Sequence, residues 1–393
     1  MKIVYLNNTF GAGRGGAEVI VAEEARMMMG LGHEVVVVVC GLKDGVRQVD
    51  GIEVREVATG IAPYVDLVEM SFARRLVWHV RNIWSYEVAG KVLRVIEELR
   101  PDVVHTHNMM GLGFRTIAEI GRRWPHVHTI HDVQLVWLSG LLPPEERWGV
   151  GLRLGVWIIS RLLRGVVGSP KVCVFPSKFL LEFYRRYGFF VYGTSHFVRN
   201  PMPEVGIARR VRPREVGFLF VGQLERHKGI LTLLEVWKAL GSGAPKLRIA
   251  GSGSMEKYVR EIASAMKNVV VLGRCNREQL AQEYARAAWV VVPSEVIENA
   301  PGVVAEAQGC GTPIIASRVG GIPERVRDGV NGWLFAAGDV NGLKECVLRA
   351  MKMERWEEFS VAGQKIAEEG GNKKHAEEIA ALYGFVRKVT GNW

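Results

Sequence analysis

Apolar runs of strand length alternate with helix-period stretches from one end of this chain to the other, and few folds accept that pattern. Lys2 to Leu6 reads as a strand and Ala17 to Met29 as a helix. Glu34 to Val39 is a run of valines of the kind found in strands buried on both faces. Strand, helix and strand in succession build parallel sheets with right-handed crossovers. Asp50-Gly51, between V-R-Q-V and I-E-V-R-E-V, marks a hairpin turn. Further strands are expected at Val103 to His105, Val127 to Ile130 and Val172 to Phe175. Arg199 to Glu215, with R-N-P-M-P and R-R-V-R-P-R, has no periodicity and reads as a linker. The alternation then resumes from Phe218 to about Met351, and polar helix patterns follow to Trp393. At 393 residues the chain has room for two domains.

Composition narrows the class. A half-apolar, glycine-rich make-up is that of an α/β protein. Cys40, Cys173, Cys275, Cys310 and Cys346 are odd in number and scattered, so neither a disulfide framework nor a zinc site is expected. The N-terminus runs M-K-I-V-Y-L-N straight into a strand, with no secretory signal, and no uncharged apolar stretch reaches spanning length. A cytoplasmic location is therefore expected, either free or peripheral on the inner membrane face. Residues 1–200 carry 24 basic and 19 acidic side chains, half of the net charge of +10. A basic stripe with a recognisable nucleic-acid module is not seen, so anionic small molecules or an anionic membrane surface are the expected partners.

The segment P-S-E-V-I-E-N-A-P-G-V-V-A-E, ending at Glu306, carries the most chemistry. Glu298 and Glu306 are separated by seven intervening residues. They follow an apolar strand, Trp289 to Val292, and precede a Gly-Cys-Gly-Thr-Pro turn into a second strand, Ile314 to Ser317. Pro301 suits the first position of a helix, with Asn299 as a cap just upstream. Gly302 and Val303 would then present backbone N–H groups to an anion. Glu298 is expected on the loop beside that seat, and Glu306 about one turn inside the helix. A phosphate seat flanked by two hydroxyl-binding carboxylates at the carboxyl end of a buried strand suits a sugar nucleotide.

Gly11, Gly13 and Gly16 spell G-x-G-x-x-G after a strand and before a helix, the mark of a dinucleotide site. That fingerprint needs an acidic residue at the end of the second strand to hold a ribose hydroxyl. Here Cys40 and Gly41 occupy that place, and Asp44 lies too far into the loop. An NAD(P)-dependent oxidoreductase is thus a rival reading without its ribose partner.

From Phe218 to Phe335, F-L-F-V-G-Q-L-E-R-H-K-G, L-R-I-A-G-S-G, V-V-V-L-G, P-S-x-x-x-E-N-A-P-G-V-V-A-E-A, G-T-P-I-I-A-S and G-G-I-P-E follow in order. This half resembles the donor half of retaining glycosyltransferases of family 4. In the first half Gly15 and Gly16, H-T-H-N at His105 to Asn108, and T-I-H-D at Thr129 to Asp132 carry a weaker likeness. The resemblance implies a GT-B fold: two Rossmann-like α/β domains with a cleft between them and a C-terminal helix crossing back to the first. Residues 1–200 with about 374–393 would form the acceptor domain, and residues 201–373 the nucleotide-sugar domain.

The resemblance also implies roles. Lys228 would meet the donor diphosphate, together with the N–H groups of Gly302 and Val303. The family's arginine just after the first glycine of the loop is replaced by Gln223, and Arg226 is the candidate to supply its charge. Glu306 would bind ribose hydroxyls and Glu298 the sugar, with Asn299, Ala300 and Pro301 along sugar and phosphate. Asn299-Ala300 stands where Pro-Phe is usual. The base would lie near Gly251 and Gly253 and pair with backbone around Gly273 and Arg274, and Gly15 and Gly16 would approach donor phosphate or acceptor. His131 would touch the donor sugar, making His131, Glu298 and Lys228 the catalytic set, whereas His105 and His107 read as structural. No D-x-D occurs. Metal-independent transfer from a UDP-, GDP- or ADP-sugar, without a further cofactor, is therefore implied. The acceptor would be the hydroxyl of a glycan or a lipid-linked molecule. A catalytically silent sugar-binding relative is the remaining alternative.

Arg147 to Gly168, R-W-G-V-G-L-R-L-G-V-W-I-I-S-R-L-L-R-G-V-V-G, is expected to form a helix with Arg147, Arg153, Arg161 and Arg164 on one side. A helix over Phe72 to Val88, with Arg74, Arg75, Arg81, Trp78 and Trp84, has the same character. Such helices either lie in an anionic membrane interface or pack in a core with an exposed arginine stripe.

Overall fold

A computed structural model describes residues 1–11, 16–202, 217–352 and 354–391, with the side chains of Val65, Val68 and Glu69 left aside. Gly13, Gly15 and the expected linker from residue 203 onward lie outside the described residues. The chain divides into two compact units. The first comprises Met1–Gly140, Val150–Pro201 and Asn372–Trp393, and the second Leu141–Gly149 and Met202–Gly371.

The first unit is built on eight strands: β1 (Lys2–Leu6), β2 (Glu34–Gly41), β3 (Gly45–Val49), β4 (Ile52–Ala58), β5 (Val103–Thr106), β6 (His126–Thr129), β7 (Val172–Phe175) and β8 (Thr194–Phe197). Their order is β3-β4-β2-β1-β5-β6-β7-β8, and every pair is parallel except β3–β4. The hairpin turns where the sequence predicts, with Asp50 and Gly51 both at positive φ, as a type I′ turn requires. The valines of β2 are buried on both sides, so the run contains no alternation.

Helix Asn372–Thr390 packs within this unit, where Ile379, Tyr383 and Val386 join Ile3, Tyr5, Val37 and Val103 in one core. A buried polar knot fixes it there. Glu24 lies 3.0 Å from His105 Nδ1, 3.1 Å from His375 Nε2 and 3.3 Å from the Tyr383 hydroxyl, which meets Tyr5 at 2.8 Å. Burial resists a charge on Glu24, yet His105 and His375 outweigh it and hold its carboxyl well below the usual range.

Two helix expectations need correction. The pattern over Phe72 to Val88 is two helices, Phe72–Trp84 and Tyr86–Leu99. Ser85 between them is extended, and its Oγ accepts from Val88 N at 3.2 Å, so the serine ends one helix by capping the next. The helix expected from Arg147 begins at Val150. Arg147 belongs to the second unit, where its guanidinium donates to the Ala337 carbonyl. Leu142 is held there too, its carbonyl accepting from Ile297 N at 2.7 Å.

The second unit has six strands, β9 (Gly217–Val221), β10 (Lys246–Ala250), β11 (Val269–Gly273), β12 (Trp289–Val292), β13 (Ile314–Ser317) and β14 (Gly332–Phe335). They are all parallel, in the order β11-β10-β9-β12-β13-β14. Alternate residues feed two cores. Phe218, Phe220, Trp289 and Val291 face one, and Leu219, Val290 and Val292 the other. The buried indoles of Trp237 and Trp289 donate to the carbonyls of Pro245 and Ala350 at 2.8 and 3.1 Å, which spares the core an unpaired N–H.

Candidate active site

The strand order of the second unit reverses direction between β9 and β12. Open α/β sheets bind ligands at such a point, outside the carboxyl ends of the strands. The loop after β9 carries Lys228 and the loop after β12 carries Glu298, so the topology brings together two residues that lie far apart in sequence. Lys228 Nζ lies 2.6 Å from Glu298 Oε1, which also accepts from Ser294 Oγ at 2.9 Å. Both side chains keep partial exposure, 27% and 15%, so the pair can open to a ligand.

Two glycines make this approach possible. Gly229, at φ +73°, lies so close to the Pro293 carbonyl that a Cβ would sit 1.8 Å from its oxygen. Gly320, at φ +55°, would place a Cβ 1.9 Å from the Glu298 carbonyl, and Gly321 N donates to that same oxygen at 2.8 Å. Any side chain at either position would push the loops apart.

Pro301 is the cap of the following helix and not its first residue, as its ψ of 127° is extended. The helix runs Gly302–Gly309, and Asn299, expected as the cap, is buried upstream. Its first two amides, on Gly302 and Val303, precede the Val304 N–H, which bonds to the Pro301 carbonyl at 3.0 Å. Glu306 turns back along the helix. A Cβ on Gly302 would lie 3.5 Å from its Oε1, and its Oε2 accepts the Tyr284 hydroxyl at 2.6 Å. Burial raises its carboxyl, against the Tyr284 bond and the Arg277 charge, which lower it.

The remaining residues predicted on this side fall around the same strand ends. Gln223 and Arg226 are exposed on the β9 loop. Gly251 N donates to the Gly273 carbonyl at 2.8 Å, which sets the ends of β10 and β11 side by side with Arg274 exposed beyond them. Glu225 accepts from Ser254 N and Oγ at 2.7 and 2.6 Å and ties the Gly251–Gly253 loop to the β9 loop. Ser294 and Tyr284, which hold the two glutamates, were not picked out in the sequence. Gly320 and Gly321 stood in plain view as G-G-I-P-E, but without a role.

In the first unit His131 follows β6. Its Nε2 lies 2.9 Å from His107 Nδ1, and burial pushes its pKa down to about 4, so it is neutral near pH 7. Asp132 accepts from Gln134 N at 2.8 Å, and burial raises it to about 6. With His107, Asn108 and Tyr184 they border a cavity of about 20 Å³, room for one water. His105 is wholly buried between Thr129 and Tyr383 at 2.7 Å each, which fits a structural part. Glu24, His105 and His107 bring ligand atoms within 4.8 Å of one another, but Glu24 and His105 already use theirs in the helix-anchoring knot. Gly16 opens helix Gly16–Gly30 and is exposed, while Gly15 lies outside the described residues. Cys40 and Gly41 close β2, with no acid where a dinucleotide ribose would need one.

Residues 215–353 match the family model for glycosyl transferases group 1, and residues 14–193 match that for glycosyltransferase family 4. The D-inositol 3-phosphate glycosyltransferase of Thermobifida fusca is 28% identical over 347 residues, covering 78% of this chain and 73% of that protein. An uncharacterized glycosyltransferase of Methanocaldococcus jannaschii is 26% identical, covering 84% and 86%. Among solved structures, the sucrose-phosphate synthase of Thermosynechococcus elongatus superposes with a TM-score of 0.77 at 18% identity over 98% of both chains. Anabaena HepE, solved with UDP and glucose, gives 0.69 at 17% identity over 98% of this chain and 99% of that one. The two parallel-sheet units, their motifs and these matches agree: the chain belongs to glycosyltransferase family 4, with the GT-B fold.

Proposed function

We propose that this enzyme transfers a hexosyl group from a nucleoside diphosphate sugar to an acceptor hydroxyl, with retention and without a metal ion. The observation that carries this is the Lys228–Glu298 pair at the sheet's switch point, next to the amino end of helix Gly302–Gly309. A cation and a helix end in one place suit a diphosphate. Glu298, released from Lys228 when the phosphate arrives, is free to accept from sugar hydroxyls, and Glu306 takes the ribose. Asn299, Ala300 and Pro301 line the path between them. Gly251, Gly253, Gly273 and Arg274 receive the base, and the family resemblance assigns His131 to the sugar.

In the reaction the bond from the anomeric carbon to the β-phosphate oxygen breaks as the acceptor oxygen bonds on the same face. The acceptor proton passes to the departing phosphate. Negative charge grows on that phosphate, and Lys228, the Gly302 and Val303 amides and Arg226 stabilise it. A neutral His131 can donate a hydrogen bond to the sugar without adding charge. The relatives' nucleotide ligands, UDP among them, support a donor of this class.

A thermal-shift screen of UDP-, GDP- and ADP-sugars beside NAD(P) tests the donor. Stabilisation by one sugar nucleotide and by no dinucleotide is expected, and the reverse would sink the reading. Turnover should survive excess EDTA, and the product anomer seen by NMR should match the donor's.

A further inference from the structure

Helix Val150–Val167 is apolar on two sides. Val156, Leu163, Val166 and Val167 are buried in the first unit. The opposite stripe, Leu154, Trp157, Ile158 and Leu162, follows the i, i+3, i+4, i+8 spacing of a second buried face, yet it is exposed, Trp157 to 57%. Helix Phe72–Trp84 repeats this. It buries Trp78 and Ile83 and exposes Phe72 to 83%, along with Leu76, Val77 and Val80. The two helices touch, and each carries its exposed stripe away from the residues it buries in the first unit. Exposed apolar stripes on two touching helices mark surface that something covers.

The charges say what. Neither helix holds an aspartate or glutamate. Arg74, Arg75, Arg153 and Arg161 are exposed among the apolar residues, and Arg161 lies 5.8 Å over the Trp157 ring. A second copy of this face would set arginine against arginine. An acidic lipid headgroup layer would take the guanidinium groups while its acyl boundary takes Trp157, Leu154 and Leu76. No helix among the described residues is long and apolar enough to cross a membrane, so the fit is to the surface of a bilayer.

We infer that helices Phe72–Trp84 and Val150–Val167 together form the face by which this enzyme docks on an anionic lipid bilayer. The inference stands on exposure and charge, and it is separate from the donor assignment. It also makes a lipid-linked acceptor the natural one.

The full-length protein is sedimented with vesicles of phosphatidylcholine alone or with about one-third phosphatidylglycerol, at low salt and at about 0.5 M salt. Binding is expected to the anionic vesicles, weakened by salt. Trp157→Ser/Leu162→Ser should lower partitioning at least tenfold, and Arg74→Gln/Arg161→Gln about 25-fold, roughly fivefold for each arginine near the surface. These positions are exposed, so melting temperature and the donor-induced thermal shift should stay as in the wild type. The inference is overturned if anionic vesicles are not bound, if both variants bind as the wild type does, or if light scattering shows a dimer that Trp157→Ser/Leu162→Ser dissolves. Vesicle binding without any donor-induced shift would leave this inference standing and remove the donor assignment. The converse result would do the opposite.

Discussion

Replacing Lys228 with methionine removes one charge and keeps most of the side chain's bulk, so it isolates the cation proposed for the diphosphate. In the unliganded enzyme the lysine is bonded to Glu298 at 2.6 Å, and both groups are partly open to solvent. An ion pair of that exposure contributes about 1 kcal/mol or less, a shift of about 2–4 °C at most in the melting temperature. Ser294 still holds Glu298 after the change, so no carboxylate is left without a partner. A hydrogen bond from a charged group to phosphate is worth about 1.5–3 kcal/mol, or roughly 10- to 150-fold in affinity. In the transition state, where the phosphate gains charge, the loss of one such donor costs about 10²- to 10³-fold in kcat. Calorimetric titration with the nucleoside diphosphate and with the bare nucleoside separates charge from shape. Lys228→Met should weaken only the diphosphate, whereas Glu306→Ala, which removes the ribose contact, should weaken both. If Lys228→Met binds the diphosphate within about threefold of wild type, the lysine is not the phosphate cation and the placement of the donor is wrong.

The polar knot of the first unit and the buried histidines give two more expectations. Glu24→Ala leaves His105, His375 and Tyr383 without their shared carboxylate and should cost about 3–5 kcal/mol. Hydrogen exchange should then rise first along helix Asn372–Thr390, and unchanged protection there would refute the anchoring role. Acid should destabilise the fold well above the ordinary carboxylate range. Burial holds His128 near 3 and His131 near 4, and it also lowers His107 and His126, whereas unfolded imidazoles charge at about 6.5. Below that value the unfolded chain binds more protons, so stability falls from about pH 6.5 toward 4. Three groups run the other way, Glu306 among them, since burial raises its carboxyl. Asp132, raised to about 6, adds stability as pH falls through that value, and His375, which Glu24 raises against burial, contributes stability that is lost as pH rises through its folded pKa. The four lowered imidazoles outnumber them. His128→Asn should flatten the slope of stability against pH by about 1.4 kcal/mol per pH unit, and a melting temperature unchanged from pH 7 to 5 would contradict the account.

What the sequence disclosed and what it withheld divide along a physical line. Strands such as Trp289–Val292 and Ile314–Ser317, and the turn at Asp50-Gly51, rest on burial and backbone sterics local to each segment, and the structure has them as predicted. The glutamates and Lys228 were legible one at a time, because each stands in a motif with its own strand end. Their pairing was not, since it follows from β12 crossing to lie beside β9, a fact of topology and not of spacing. The knot of Glu24 with His375 joins residues 351 apart and leaves no local trace. Periodicity failed in two instructive ways. It ran through Ser85, because a capping serine costs one residue and both helices keep an apolar face in phase. It also counted Arg147 and Arg164 into one stripe, although Arg147 binds a carbonyl in the second unit and Arg164 reaches the Tyr187 carbonyl at 3.5 Å. Once these two are removed, the exposed stripe of helix Val150–Val167 is apolar with Arg153 and Arg161 set into it, not basic with apolar flanks. Periodicity in the sequence reports that a helix has two faces. Which face the protein keeps and which it offers outward depends on what packs against it, and that is why the outward apolar stripe proposed for docking became visible only in the folded chain.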